Sequence, residues 1–352
     1  MRIAILINHN TAGKFFGNIL KELGHETYIP LKCSCEKYAL VDEDVKNIRT
    51  LNKEEYIDKL DNYDFYSSNN NQERNELIYE ILVNNFDIIF TLHVININLN
   101  IMLSNTNKII YYVLWGDFKI NNRNNYSFIE NNINNIENKY YLIMHKFLLE
   151  PYSKFLNLNK IKYARIGLPF QENYKNIYKL RENNNKILIV LSRLHILNYL
   201  GDWINNYFSK IFPNLIIYVI GKFNENYHFT SNNVIKMCFD DINDVYKNMN
   251  ECCINLNISL DENILQYSVI ECANMNIPTL YRNNSSVSKI IDNKNINNIF
   301  SYGDDNDLIK KIKILIIENR LKDYEDIYTE NNKKLYEEYD INKVKDDWIK
   351  IL

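Results

Sequence analysis

Apolar runs of strand length alternate with helix-length amphipathic segments along the whole chain, the pattern of an α/β protein. "RIAILI" reads as a first strand and "AGKFFGNILKELG" as the helix after it. Phe16, Ile19, Leu20 and Leu23 fall on one face of that helix, and Gly24 suits a left-handed cap at its end. The strand "ETYIPL", the helix "ERNELIYEILVNN" and the strands "DIIFTLHV", "NKIIYYVLWGD", "KYYLIMHK" and "KIKYARIGLP" follow. After the polar stretch "QENYKNIYKLRENNN" the alternation restarts. "KILIVLSRL", "LIIYVIGKF", "VIKMCF", "CCINLNIS" and "IPTLYR" read as strands. "LGDWINNYFSKIF", with Pro213 just beyond it, reads as a helix, as do "DINDVYKNM", N-capped by Asp241, and "QYSVIECANMN". The tail is helical almost to its end. The expected architecture is two Rossmann-like domains facing each other across a cleft, with a C-terminal helix crossing back. Their boundaries are expected at 1–168, a linker at 169–185, a second domain at 186–322 and a helical segment at 323–352, whose tyrosines and Trp348 would pack the helices across the cleft.

Length supports the division, since 352 residues exceed the ~150 that one core comfortably organises. Composition changes little: 46% hydrophobic and 24% charged residues, with a net charge of −3, describe an ordinary globular chain. Neither half is basic, which argues against a duplex nucleic-acid partner. No apolar run approaches the ~20 residues of a membrane span, and the first run is too short for a signal peptide. The six cysteines lack zinc-ligand spacing, so no metal site is expected and they read as reduced thiols of a cytoplasmic protein. The asparagine-rich stretches read as solvent-facing segments, with AT-rich coding favoured over a functional low-complexity tract.

The stretch "NTAGKFF" carries a Gly-Lys pair between a strand and a helix. A phosphate-binding P-loop would need glycine at Asn8 and Ser or Thr at Phe15, so that reading fails. No Gly-x-Gly-x-x-Gly follows a strand-like run, which argues against a dinucleotide-binding dehydrogenase. In the second half, the loop after "CCINLNIS" runs into a helix opening near Gln266. A helix start offers free N–H donors to a diphosphate, and Glu271, one turn in, could accept hydrogen bonds from ribose hydroxyls. A solvated glutamate on an amphipathic helix explains the same pattern. His9, His93, Asp117 and His145 fall at or near carboxyl ends of expected strands. Asp117, His9 or His93 could orient or deprotonate an acceptor hydroxyl, although a histidine at a strand end is more often structural.

The ordered phrases "SRL", "YVIGKF", "CCINLNIS" and "ILQYSVIECANMNIPTL" resemble the donor half of retaining GT-B glycosyltransferases. "AGKFFGNILKELGHE" resembles that family's first loop and turn, and "RIGLP" its interdomain crossing, so the resemblance spans nearly the whole chain. "YYVLWGD", with Trp115 and Asp117, resembles the divergent spore-maturation-protein group. The resemblance implies a metal-independent hexosyltransferase-type enzyme. It would move sugar from a nucleotide-sugar co-substrate, such as a UDP-sugar, to an acceptor hydroxyl with retention. By position, Arg193 would contact the diphosphate and Gly221 would let the nucleotide approach. The loop Asn263 to Ser268, with Gln266 and Tyr267, would offer N–H groups, and Glu271 would hold the ribose. Gly13 would admit a ligand close to the backbone, with Lys14 as an electrostatic contact. The acceptor could be a glycan, a lipid-linked group, a protein or a modified nucleobase. The lysine that the family carries a few residues beyond the arginine is missing, since "HILNYLGDW" offers His195 and no lysine, while Asn263 stands where the family has a glutamate and Asn276 where it has a glycine. A silent binding or scaffold protein and a nucleotide-sugar epimerase are the competing readings.

Overall fold

The computed structural model describes residues 1–8, 12–31, 42–51, 54–67, 70–92, 96–114, 136–154, 156–165, 184–191, 198–221, 228–237, 242–259, 262, 265–291 and 298–352. They form two compact units, Met1–Pro169 with Asp340–Leu352, and Phe170–Tyr339. Among the described residues, no helix is long and apolar enough to cross a membrane.

The first unit holds β1 (Arg2–Ile5), α1 (Ala12–Glu22), β2 (Glu26–Tyr28), α2 (Asp42–Ile48), α3 (Ile57–Asp61) and α4 (Gln72–Asn85). β3 (Ile88–Leu92), α5 (Ile97–Ser104), β4 (Ile109–Leu114), β5 (Lys139–Ile143), α6 (Leu149–Ser153) and β6 (Ile161–Tyr163) complete it before the crossing. Its sheet runs β2-β1-β3-β4-β5-β6, with each neighbouring pair parallel. Parallel strands are covered on both faces and therefore read as unbroken apolar runs rather than alternating ones. Ile3 to Ile7, for instance, are all fully buried. The end of α1 is set as its sequence implies: Gly24 takes φ +80°, and His25 N–H donates to the Leu20 carbonyl at 3.1 Å.

One glycine of α1 fixes a helix contact. A Cβ added at Gly17 would stand 1.8 Å from Ile48 Cγ2 and 3.1 Å from Ile29 Cδ1. Ile48 is 1% exposed and β-branched, so it has little rotamer freedom with which to yield. The Gly17→Ala variant is expected to lose about 1–3 kcal/mol of stability through overpacking, despite alanine's better helix propensity. A lower denaturation midpoint checks this; an unchanged or raised one would show that α1 and α2 can separate freely.

The second unit holds β7 (Lys186–Leu191) and α7 (Asn198–Trp203), which continues through the π-helical turn Ile204–Phe208 into Ser209–Ile211. Next come β8 (Ile216–Gly221), β9 (Val234–Met237), α8 (Ile242–Glu251), β10 (Ile254–Asn257), α9 (Tyr267–Asn274) and β11 (Thr279–Arg282). α10 (Ser286–Ile291), β12 (Ser301–Tyr302), α11 (Asp305–Ile312) and α12 (Glu325–Glu338) complete this unit, and α13 (Ile341–Ile351) returns the chain to the first. The sheet runs β12-β11-β10-β7-β8-β9 and is parallel throughout. Its core includes Leu188, Ile220, Val245, Met249, Cys272 and Ile277, all buried.

The tail read as one segment divides at Asp340. Tyr328, 2% exposed, meets Phe300 edge-on at 6.0 Å within the second unit. Trp348 belongs to the first unit, against Phe16 and Phe90. The Asp241 cap lies outside the described residues.

Candidate functional site

In an open parallel sheet, ligands lie beyond the carboxyl ends of the strands where the strand order reverses. In the second unit that point lies between β7 and β10. The chain builds outward from β7 to β8 and β9, then returns to lay β10, β11 and β12 on the other side. Gly221, the last residue of β8, is buried and pairs with Leu191, the last residue of β7. The "SRL" phrase that follows β7, with Arg193, lies outside the described residues, as does Asn263.

The carboxyl end of β10 is anchored by Asn257, only 5% exposed. Its carbonyl accepts from the Tyr302 hydroxyl at 2.8 Å, and its Oδ1 accepts from Ser259 N–H at 3.2 Å. Its Nδ2 reaches Gln266 Oε1 at 3.4 Å. Gln266 is the extended residue before α9 and makes no side-chain cap. The helix start is thus tied to the strand end by a side chain that leaves its first N–H groups uncapped, the arrangement that favours an anion there. Ser268 is buried in the first turn and Tyr267 half-buried, its phenol pushed well up by burial.

Glu271 sits one turn further along α9 and is half-buried. Its Oε1 accepts a 2.8 Å hydrogen bond from the hydroxyl of Tyr246 on α8. Burial raises the Glu271 carboxyl above its ordinary range, and the Tyr246 hydrogen bond works in the opposite direction. A carboxylate held on one side by a neutral donor can accept a further hydrogen bond on the other, as a ligand hydroxyl would supply.

Asn276, where a glycine was expected from the resemblance, adopts φ +55°. It is 2% exposed and its Oδ1 accepts from Asn332 Nδ2 on α12 at 3.2 Å. Asparagine tolerates the left-handed region better than other non-glycine residues, so the turn after α9 survives the replacement. Glu262, next to Asn263, accepts from Asn284 Nδ2 at 2.8 Å on the surface.

In the first unit the order reverses between β1 and β3. His9, His93 and Asp117 lie outside the described residues. Asn8, fully buried, donates from Nδ2 to the carbonyls of Pro30 at 2.7 Å and Leu31 at 2.9 Å, tying the ends of β1 and β2. Gly13 is buried in the first turn of α1, and Lys14 Nζ lies 2.8 Å from Asp44 Oδ1 on α2. The lysine thus has a carboxylate partner within its own unit. His145 is 5% exposed, and its carbonyl accepts from Leu148 N–H at 2.9 Å.

The described residues therefore bring Gln266, Tyr267, Ser268 and Glu271 together on one helix start, with Gly221 at the end of β8. Sequence reasoning missed Asn257, Tyr302 and Tyr246. A polar residue ending the apolar run "CCINLN" was a usable signal for Asn257. Tyr246 stands between Val245 and Lys247 like any core-facing aromatic and gave none.

No protein-family model matches this chain, and no curated protein matches it. Solved structures do. HepE of Anabaena, in complex with UDP-glucose, aligns over 100% of this chain and 99% of its own, at 11% identity and a TM-score of 0.70. A glycosyltransferase of Rickettsia africae aligns over 99% of this chain and 97% of its own, at 16% identity and a TM-score of 0.67. TarM aligns over 79% of this chain and 58% of its own, at 13% identity and a TM-score of 0.56. With two parallel-sheet units matched nearly end to end in the first two comparisons, this chain has the GT-B fold of glycosyltransferases.

Proposed function

We propose that the protein transfers a hexose from a nucleotide-sugar donor, with a UDP-sugar as the leading candidate, to an acceptor hydroxyl with retention of configuration. The observation that carries this reading is Glu271. It is a half-buried carboxylate one turn inside an uncapped helix at the strand-order reversal, in a fold shared with a protein solved with UDP-glucose. Glu271 would accept hydrogen bonds from the donor ribose. The first N–H groups of α9 and the guanidinium of Arg193, which follows β7 in sequence, would meet the diphosphate where negative charge develops as it leaves. Asp117, His9 and His93 are the candidates for handling the acceptor proton, and Gly13 for a close backbone approach. Lys14 would contribute only by exchanging its partner Asp44. In this proposal the leaving group needs no metal.

Titration of UDP-, GDP- and dTDP-sugars into the protein tests it. One of the three is expected to bind, and Glu271→Ala to weaken that binding about 10- to 100-fold, the worth of a charged hydrogen bond. Failure of all three to bind at millimolar concentration would sink the proposal. Tight binding with no transfer to glycan, lipid-linked, protein or nucleobase acceptors, and no donor isomerisation, would favour a silent binding protein.

A further inference from the structure

Glu271 does not stand alone on α9. The Tyr246 ring is 4% exposed and wedged in the core between α8, α9 and the sheet, among Leu188, Val190, Ile220, Met249, Cys272 and Met275. Packing on every side removes its rotamer freedom, so its hydroxyl is a donor fixed in space rather than a swinging one. That hydroxyl takes Glu271 Oε1 at 2.8 Å. Among the described residues Glu271 Oε2 has no hydrogen-bond partner. One carboxylate oxygen is therefore committed to the protein and the other is left for a ligand.

We propose that Tyr246 is a positioning residue: it orients the Glu271 carboxylate toward the vicinal hydroxyls of a ribose and so makes the site selective for ribonucleotide over 2′-deoxyribonucleotide donors. This rests on the assignment of Glu271 to the donor ribose. A carboxylate free to rotate would lose entropy on each binding event, and one held at Oε1 has already lost it. The rigid donor also opposes protonation of a carboxyl that burial otherwise favours. The competing case is a core tyrosine whose hydroxyl merely found an acceptor, in which removing it would leave nucleotide selectivity untouched.

The decisive comparison is UDP against 2′-deoxy-UDP, by calorimetry, on the wild type, Tyr246→Phe, Glu271→Gln and the double variant. The wild type is expected to favour UDP by tenfold or more. Tyr246→Phe keeps the ring and its packing, and is expected to weaken UDP several-fold while leaving 2′-deoxy-UDP nearly unchanged. In turnover the donor KM should rise with kcat little altered. In the Glu271→Gln background, adding Tyr246→Phe should have little further effect on the ratio, because the two act as one unit. Equal weakening of both nucleotides, or an unchanged ratio, overturns the role of Tyr246 and leaves the donor site standing. If UDP binds with no preference over 2′-deoxy-UDP, the ribose selectivity is overturned. If no nucleotide binds the wild type, the donor site falls and this inference with it. Should Tyr246→Phe fail to fold, the ratio measured in Glu271→Gln decides: a ratio unchanged from wild type overturns the proposal, and a collapsed one supports it.

Discussion

Trp348→Ala is expected to lower the stability of the first unit by about 3–5 kcal/mol, the range for emptying a large aromatic site in a core. Trp348 is 1% exposed, although it lies four residues from the end of the chain. Its ring meets Phe16 of α1 edge-on at 5.0 Å and 84°, and Phe90 of β3 at 5.7 Å. Phe90 in turn stacks on Tyr111 of β4 at 4.9 Å. The polar ends of α13 are satisfied as well. Trp348 Nε1 donates to the Arg165 carbonyl at 2.9 Å, Arg165 pairs with Asp347 at 2.6 Å, and the Tyr111 hydroxyl donates to the Ile351 carbonyl. α13 is thus part of the first core, and its loss would open a cavity bordered by rigid rings. Trp348→Phe separates the contributions, because it keeps much of the packing and removes the indole donor, leaving the Arg165 carbonyl to find water. It is expected to cost less than half as much. Denaturant unfolding with hydrogen exchange read on β3 and β4 assigns the loss to this unit. A loss below 1 kcal/mol for the alanine variant would mean that α13 frays without consequence.

Fold class was legible because a parallel sheet buries both faces of each strand. "KILIV" and "LIIYVIG" can hardly sit anywhere but inside one, and the helical runs between them dictate the crossovers. Elements without a period were not legible. α5 covers "INLNIMLS", in which apolar residues fall on every side, and the structure sets its start through Asn96 Oδ1, which accepts from Asn98 and Leu99 N–H. β12 is two residues long and exists because Tyr281 and Arg282 offer a strand edge to pair with. The same division runs through the site. Glu271 was visible because a carboxylate in an apolar helix phrase is conspicuous, and Asn276 because a glycine was missing. Lys14 read as an electrostatic contact for a ligand, since nothing local shows that Asp44, thirty residues on, will meet it when α2 packs across Gly17. Tyr246 was hidden for the opposite reason: its chemistry depends on one hydrogen bond, while its sequence context is that of core.

Arg49→Ala is the second large effect, expected to cost about 3–5 kcal/mol because it strands a partly buried carboxylate. Arg49 follows α2 and is 8% exposed. Its Nη1 and Nη2 grip Asp61 Oδ2 and Oδ1 at 2.9 and 2.6 Å, a bidentate pair. Nε and Nη2 also donate to the Ile29 carbonyl, at 3.1 and 2.5 Å. The guanidinium lies over the Tyr28 ring at 4.7 Å, and the Tyr28 hydroxyl reaches Asp61 at 3.1 Å. Alanine would leave Asp61 without its cation and the buried Ile29 carbonyl without its donors. The distinguishing control is Arg49→Met with Asp61→Leu, which removes both charges and keeps the volume. It should cost less than Arg49→Ala alone, since a buried pair replaced by apolar groups is often close to neutral. If the double variant costs as much as the single one, the network's worth lies in the Ile29 carbonyl and Tyr28 contacts rather than in charge pairing. The position of this network links stability to the site. Ile29 precedes Pro30 and Leu31, whose carbonyls Asn8 binds at the end of β1. The Arg49 pair therefore helps hold the carboxyl edge of the first sheet, where β1 and β2 end. Weakening it should raise hydrogen exchange at the Ile29 and Leu31 amides well before the first unit unfolds as a whole.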